Sequence, residues 1–198
     1  MKTHHVEIAT AADQAAVHST LTLAFGRDPM ARYAHTHLMA FPRLAVAFAA
    51  SAFARGTAYR IGGFAGAALW LPPDLQPDEE ALGVLMQETV PAEIQADAGQ
   101  VMEQMGALHP KEPHWYLPLI GVDPAEQGKG LGDALMAHAL AIVDRDGLPA
   151  YLESTNPRNV SLYQRHGFEQ LGRIQVGGSP VMTPMLRKPR RKEAGRRS

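Results

Sequence analysis

The chain has 198 residues, a formal net charge of −1 and no cysteine, so it fits one domain with a sizeable core, and disulfides, thiolate metal sites and an acyl-cysteine intermediate are excluded. The last eleven residues carry six Lys/Arg and one Glu, which leaves thirteen bases against nineteen acids in residues 1–187. An acidic domain over 1–187 therefore ends in a basic tail, 188–198, expected to be solvated and disordered; nucleic acid would instead want positive charge clustered on the folded surface.

Met1 to Ile8 holds no apolar signal core and no stretch reaches the length of a membrane span, so a cytoplasmic protein with no membrane partner is expected. Val6 to Ala9 reads as a first strand. Thr10 with Asp13 three residues on resembles a capping box that opens a helix to about Phe25, with Val17, Leu21, Ala24 and Phe25 on its apolar face. Gly26-Arg27-Asp28-Pro29 stops that helix. His35 and His37 could share a face of an extended segment, but no nearby acid or cysteine completes a metal site, and no metal is expected. A second helix runs from about Leu38 to Ala54, with Pro42 in its first turn or at a kink. Thr57 to Ile61 and Ala65 to Leu71, joined through Gly62-Gly63, read as a hairpin. Residues 74–110 are helical in pattern, divided by Pro91 into about 78–89 and 92–107, with Ile94, Ala98, Val101, Met102 and Met105 along one face. This stretch reads as an insertion or as a lid over a site.

The second half runs strand 114–122, loop, helix about 130–146, strand 150–154, helix 157–166 and strand 168–175; a turn at Gly177 to Pro180 then leads into a last strand, about 181–187. Strand, helix and strand in succession make a right-handed parallel crossover, whereas the other strands read as hairpins. The expected fold class is mixed α/β: a central, largely antiparallel sheet with one parallel strand pair and helices on both faces.

Gln127-Gly128-Lys129-Gly130-Leu131-Gly132 lies between the apolar strand and the helix that starts near Leu131. A glycine-rich turn there presents bare backbone N–H groups at the positive end of a helix, which suits a phosphate or pyrophosphate. Spacing sorts the known glycine loops. The phosphate loop of nucleotide hydrolases fails, because Lys129 is followed by Gly130 and not by Ser or Thr. The dinucleotide fingerprint lacks its third glycine, where Asp133 stands, although Glu153 lies near the distance of its ribose-binding acid; a nucleotide-binding module stays a rival. Downstream, Asn156 is a good N-cap, Pro157 fits the first helical position and Gly167 can take the left-handed conformation that ends a helix. Val160 and Tyr163 share a face of that helix, so Tyr163 points to the core or to a ligand.

Gln127-x-x-Gly130-x-Gly132, followed by Asn156, Leu162-Tyr163 and Gly167-Phe168 in the same order, resembles the motifs of the GCN5-related N-acetyltransferase (GNAT) family. The resemblance implies that Gln127, Gly128, Lys129, Gly130, Leu131 and Gly132 contact the pyrophosphate of acetyl-CoA. It also implies that the backbone of Ile120, Gly121 and Val122 hydrogen-bonds to the pantetheine and thioester, and that the two parallel strands splay to admit the pantetheine arm. Asn156 matches the family's pantetheine-contacting asparagine, which its N-cap role explains equally well; Asn159 is a lesser candidate of the same kind. Residues 105–175, through Lys111 to Leu117, Gly121 to Pro124, Leu148 to Glu153 and Pro157 to Asn159, are similar to the puromycin N-acetyltransferases of that family. The upstream half and the last strand depart from them, so acceptor specificity does not carry over.

Acetyl transfer from a thioester to an amine needs a neutral amine, a polarised carbonyl and a stabilised leaving thiolate. Tyr163 matches the family's general acid, and a phenol with a pKa of about 10 can protonate a thiolate whose conjugate acid is at about 8.5; a tyrosine that only packs and hydrogen-bonds is the other reading. Glu153, on the strand beside the expected channel, is the first choice for a base or for attracting a cationic amine, against a structural paired acid. His114 and Tyr116 alternate with Trp115 and could line the acceptor side. The expected function is transfer of acetyl from acetyl-CoA to a primary amine of a small molecule, such as an aminonucleoside or antibiotic, by direct attack in a ternary complex. The alternatives are a protein lysine or N-terminal acetyltransferase and a non-catalytic acyl-CoA sensor.

Overall fold

The computed structural model describes residues 4–34 and 40–189. His35 and His37, the start of the helix expected at Leu38, and the tail from Arg190 lie outside the described residues.

Strands β1 (Val6–Ile8), β2 (Ala58–Ile61), β3 (Gly66–Leu71) and β4 (Trp115–Val122) pair antiparallel in sequence. β4 then pairs in parallel with β5 (Ala150–Ser154), which is followed by β7 (Thr183–Arg187) and β6 (Glu169–Gln170), both antiparallel. The result is one seven-stranded mixed sheet, β1-β2-β3-β4-β5-β7-β6, with helices on both faces, as the sequence pattern leads one to expect. Every residue of β3 is buried because both its faces are covered. Ala68 and Trp70 pack toward α7 (Leu131–Asp146), while Ala67, Leu69 and Leu71 face α1 (Gln14–Phe25) and α3 (Phe41–Ala49).

The crossover from β4 through α7 to β5 forms because Leu135, Met136, Ala139, Leu140 and Val143 make one buried helical stripe. The Trp115 indole N–H, donating to Asp146 Oδ2 at 3.0 Å, ties the start of β4 to the end of α7. The helical segment opens at Thr10 as expected, but as a 3-10 turn, Ala11–Asp13, that runs into α1: the backbone N–H and the hydroxyl of Thr10 both donate to Asp13 Oδ2, at 2.8 and 2.9 Å. The helix expected through Ala54 is two, α3 and α4 (Ser51–Arg55), with Pro42 in the first turn of α3; the short α2 (Pro29–Ala34) precedes them and a left-handed Gly56 ends α4. The stretch divided by Pro91 becomes α5 (Glu79–Thr89) and α6 (Gln95–Leu108). The helix expected over 157–166 opens as a 3-10 turn, Pro157–Asn159, and continues as α8 (Val160–Arg165).

One strand is shorter than its pattern suggests. β6 covers two residues where 168–175 was expected, and pairing resumes only as an isolated bridge between Ile174 and Met182. Pro184 of β7 explains the break: its carbonyl accepts from the Leu171 N–H at 2.9 Å, but proline has no N–H to return the bond. Among the described residues no helix is long and apolar enough to cross a membrane.

Candidate active site

The parallel pair β4 and β5 holds register at Trp115↔Ala150 and Tyr116↔Tyr151 and then separates. On its other side β4 carries a bulge: Leu69 pairs with Leu119 but Leu71 with Tyr116, so three steps on β4 oppose two on β3. Pro118 sits inside the bulge and cannot donate to either neighbour. From that point β4 bends away from β5 and a cleft of about 650 Å³ opens, with Ile120, Gly121 and Val122 on one wall and Leu152, Glu153 and Asn156 on the other.

The glycine loop forms the polar mouth of this cleft. Gly128 and Gly130 have φ of +78° and +82°. A Cβ at Gly128 would meet nothing within 4 Å, and at Gly130 only His4 Nε2 at 3.8 Å, so left-handed backbone facing open space, not packing, selects glycine. The first helical bond of α7 runs from Ala134 N to Gly130 O at 3.1 Å, leaving the amides of Leu131, Gly132 and Asp133 at the open end of the helix. The Leu131 side chain is buried in the core. Gln127 donates its amide to the Val122 carbonyl at 3.1 Å, and the Lys129 ammonium pairs with Glu126 at 2.8 Å; both side chains brace the loop. Arg158 and Arg165 also line the cleft, Arg165 leaning on Asp133 at 3.3 Å. Sequence reasoning gave neither arginine a role, although Arg158 lies inside a motif it singled out.

Asn156 caps the following turn, its Oδ1 accepting from the Arg158 N–H at 3.1 Å, and both it and the exposed Asn159 line the cleft. Tyr163 is buried against Phe168, with ring centroids 6.2 Å apart, and reaches the cleft from α8. Burial, and then the charge of Asp28, push its phenol well above the usual tyrosine range; it is protonated at neutral pH. Gly121 has a packing reason of its own, since a Cβ there would stand 2.5 Å from the Ala24 Cβ of α1.

Two buried carboxylates face the cleft. Asp28, read from sequence only as a helix stop, caps α2 by accepting from the Met30 and Ala31 N–H groups at 3.0 Å each, and its Oδ2 accepts from the Thr155 hydroxyl at 2.7 Å. Burial raises its pKa in spite of those bonds. Its cap position is visible in sequence, but its proximity to Thr155 and Tyr163 is not. Glu153 has a side chain only 4% exposed, and its Oε1 has no hydrogen-bond partner among the described residues. Around it stand Tyr116 and Tyr151, whose phenols are raised first by burial and further by the Glu153 charge.

His109 Nδ1 lies 3.7 Å from Glu153 Oε1. His109 Nε2 is 3.0 Å from His114 Nε2, and His114 Nδ1 is 2.8 Å from the Glu112 carbonyl. A carbonyl only accepts, so His114 Nδ1 carries a proton. Burial lowers the pKa of His114, which keeps its Nε2 a bare acceptor and makes His109 Nε2 the donor between the rings. His114 thus touches the site through His109, while Tyr116 lines it directly.

Beyond Asp28 and Glu153 the cleft continues into a second cavity of about 150 Å³, walled mostly by apolar side chains of α1, α2, α3, α5 and α6, with Tyr33 of α2 among them. Ala98, Val101, Met102 and Met105, the stripe legible on the helical stretch, form part of its wall.

Residues 64–168 match the acetyltransferase (GNAT) family, and the chain belongs to that family. An uncharacterized N-acetyltransferase of Schizosaccharomyces pombe is 28% identical over 156 residues, 68% of this chain and 61% of the relative; the chain spans less than two thirds of that relative's length. A crystal structure of a histone acetyltransferase HPA2 and related acetyltransferase from Corynebacterium glutamicum is 25% identical, with a TM-score of 0.67 over 96% of this chain and 99% of the other. The polyamine N-acetyltransferase of Drosophila melanogaster, which forms N-acetylagmatine, shares the fold at 13% identity, with a TM-score of 0.68 over 94% of this chain and 100% of the other.

Proposed function

We propose that the protein is an acetyl-CoA-dependent N-acetyltransferase that acetylates the primary amine of a small molecule by direct attack in a ternary complex. The observation that supports this is a single opening between β4 and β5, which brings a phosphate-suited glycine loop, a buried protonated phenol and two buried carboxylates to one cleft. The residues present fit the cofactor. Gly128 and Gly130 leave open space over left-handed backbone, and the amides of Leu131 and Gly132 with Arg158 and Arg165 suit a diphosphate. Ile120, Gly121, Val122, Asn156 and Asn159 line the path of the pantetheine arm. Acetyl-CoA supplies an acetyl group activated as a thioester.

Glu153 and Asp28 draw the substrate ammonium to the cleft, and Glu153, whose Oε1 has no hydrogen-bond partner among the described residues, takes its proton. Tyr163 keeps its own proton until a thiolate departs, then donates it from the phenol oxygen. β4 beyond Tyr116 offers backbone N–H groups toward the space left by β5, suited to polarise a carbonyl. α5 and α6 act as the lid over the acceptor. The likeness to puromycin N-acetyltransferases over residues 105–175 covers the cofactor half and leaves the acceptor open.

The test is release of free thiol from acetyl-CoA with a panel of primary amines that includes puromycin and a lysine peptide. Release that needs both components is expected. CoA binding without release from any amine identifies a sensor, and stabilisation by NAD or ATP with indifference to CoA removes the cofactor assignment.

A further inference from the structure

We infer that the acceptor is a monoamine whose body is one compact apolar group, about the size of a benzene ring, seated in the cavity beyond Asp28 and Glu153. The inference rests on the N-acetyltransferase reading above and narrows its substrate. Five residues, Phe25, Asp28, Pro118, Glu153 and Thr155, line both the cofactor cleft and this cavity, so they mark the junction at which an amine in the cavity meets a thioester in the cleft. Both carboxylates lie at the junction. An ammonium group held there leaves the rest of its molecule pointing away from the cofactor.

What that remainder meets is apolar. The wall is built from Phe41, Leu82, Leu85, Val101 and Met105 among others, and no Lys, Arg or His is found among the described residues that line it. A cavity of about 150 Å³ with aliphatic and aromatic walls holds a benzene-sized guest. The unbranched Met102 and Met105 side chains adapt to its outline. A second ammonium, a guanidinium or a ribose would lie mainly against Leu, Met and Phe side chains, with Tyr33 and Tyr116 the wall's polar side chains away from the shared junction residues, and burial of an incompletely paired polar or charged group is strongly unfavourable. Diamines, guanidino amines, aminonucleosides and peptide lysines are therefore poor acceptors, whereas arylmethyl and branched or six-carbon alkyl amines suit the space.

The test uses the full chain and acetyl-CoA, with thiol release measured for benzylamine, 2-phenylethylamine and hexylamine against putrescine, agmatine, puromycin and a lysine peptide. The apolar monoamines are expected to exceed the others at least 100-fold in kcat/KM. Ala98→Phe and, at a partly exposed position that tolerates bulk, Met105→Trp should each raise the ratio of kcat/KM for ethylamine to that for benzylamine at least ten-fold. That ratio is insensitive to how much of the protein is active. Preference for putrescine, agmatine, puromycin or the peptide, or an unmoved ratio in both variants, overturns the inference and leaves the acetyltransferase reading standing. CoA binding with no thiol released from any amine overturns both.

Discussion

His109 Nδ1 faces Glu153 Oε1 at 3.7 Å, and among the described residues it is the one ring nitrogen of His109 and His114 that makes no hydrogen bond. His109 is also 26% exposed while Glu153 is 4% exposed, so of the two it is the group in touch with water. If Glu153 acts as the proposed base, His109 is the solvent-touching group beside it.

His109→Gln retains an N–H for His114 but removes the imidazole beside Glu153. The expected outcome is a fall in kcat of about ten-fold, toward the lower end of general acid–base effects. KM for acetyl-CoA stays unchanged. An unchanged kcat would reduce His109 to a packing residue.

Tyr163→Phe removes one hydroxyl from a buried ring and leaves its contact with Phe168 in place. Loss of a proton donor to the leaving group should lower kcat by about 100-fold, while CoA affinity by calorimetry holds. Equal losses in rate and in affinity would show that the ring shapes the cleft and does not donate.

Two glycines, Gly130 in the loop and Gly121 in β4, separate cofactor binding from folding. Gly130→Asp puts a carboxylate into open space beside the helix start, on left-handed backbone that costs about 1–2 kcal/mol for an L residue, and should weaken CoA binding at least ten-fold by repelling the diphosphate. Gly121→Ala drives a methyl group to 2.5 Å from the Ala24 Cβ, an overpacking that costs about 1–3 kcal/mol. It should therefore lower the melting temperature before it changes affinity. Normal CoA affinity in Gly130→Asp removes the loop from the cofactor site.

The legible part of the site is the part encoded over short spans. The strand, glycine loop and helix around residues 115–146, and the cap, proline and glycine around 156–167, each satisfy local backbone rules, and they place Tyr163 and the loop in one cleft. Asp28 and His109 escaped because their partners are distant in sequence: the Asp28–Thr155 bond spans 127 positions, His109 meets Glu153 of another element, and Asp28 had a sufficient local explanation as a helix stop. Pro118 was visible within an apolar strand, but that it splits the sheet depends on the bulge against β3. The truncation of β6 likewise depends on which residue lies opposite Pro184, a register that periodicity does not supply.

Stability should fall in mild acid. His18, His114, His138 and His166 all have pKa values lowered in the folded chain, with burial the largest cause in each. Above the unfolded value of about 6.5 both states are neutral and nothing is lost. As pH drops below it, the unfolded chain binds protons that the folded chain refuses, and stability declines until the folded values are passed. Asp13, lowered chiefly by its bonds from Thr10, adds a further loss in stronger acid, as pH falls through its folded value. Asp28 has the opposite sign: burial raises its folded pKa, so its unfavourable contribution at neutral pH is relieved on acidification. Four histidines against one aspartate decide the direction near pH 6. The melting temperature should hold between pH 7.5 and about 6.5 and fall by pH 5, and His114→Gln should flatten part of that fall; a flat curve down to pH 5 in the parent protein would contradict the burial of these imidazoles as neutral groups.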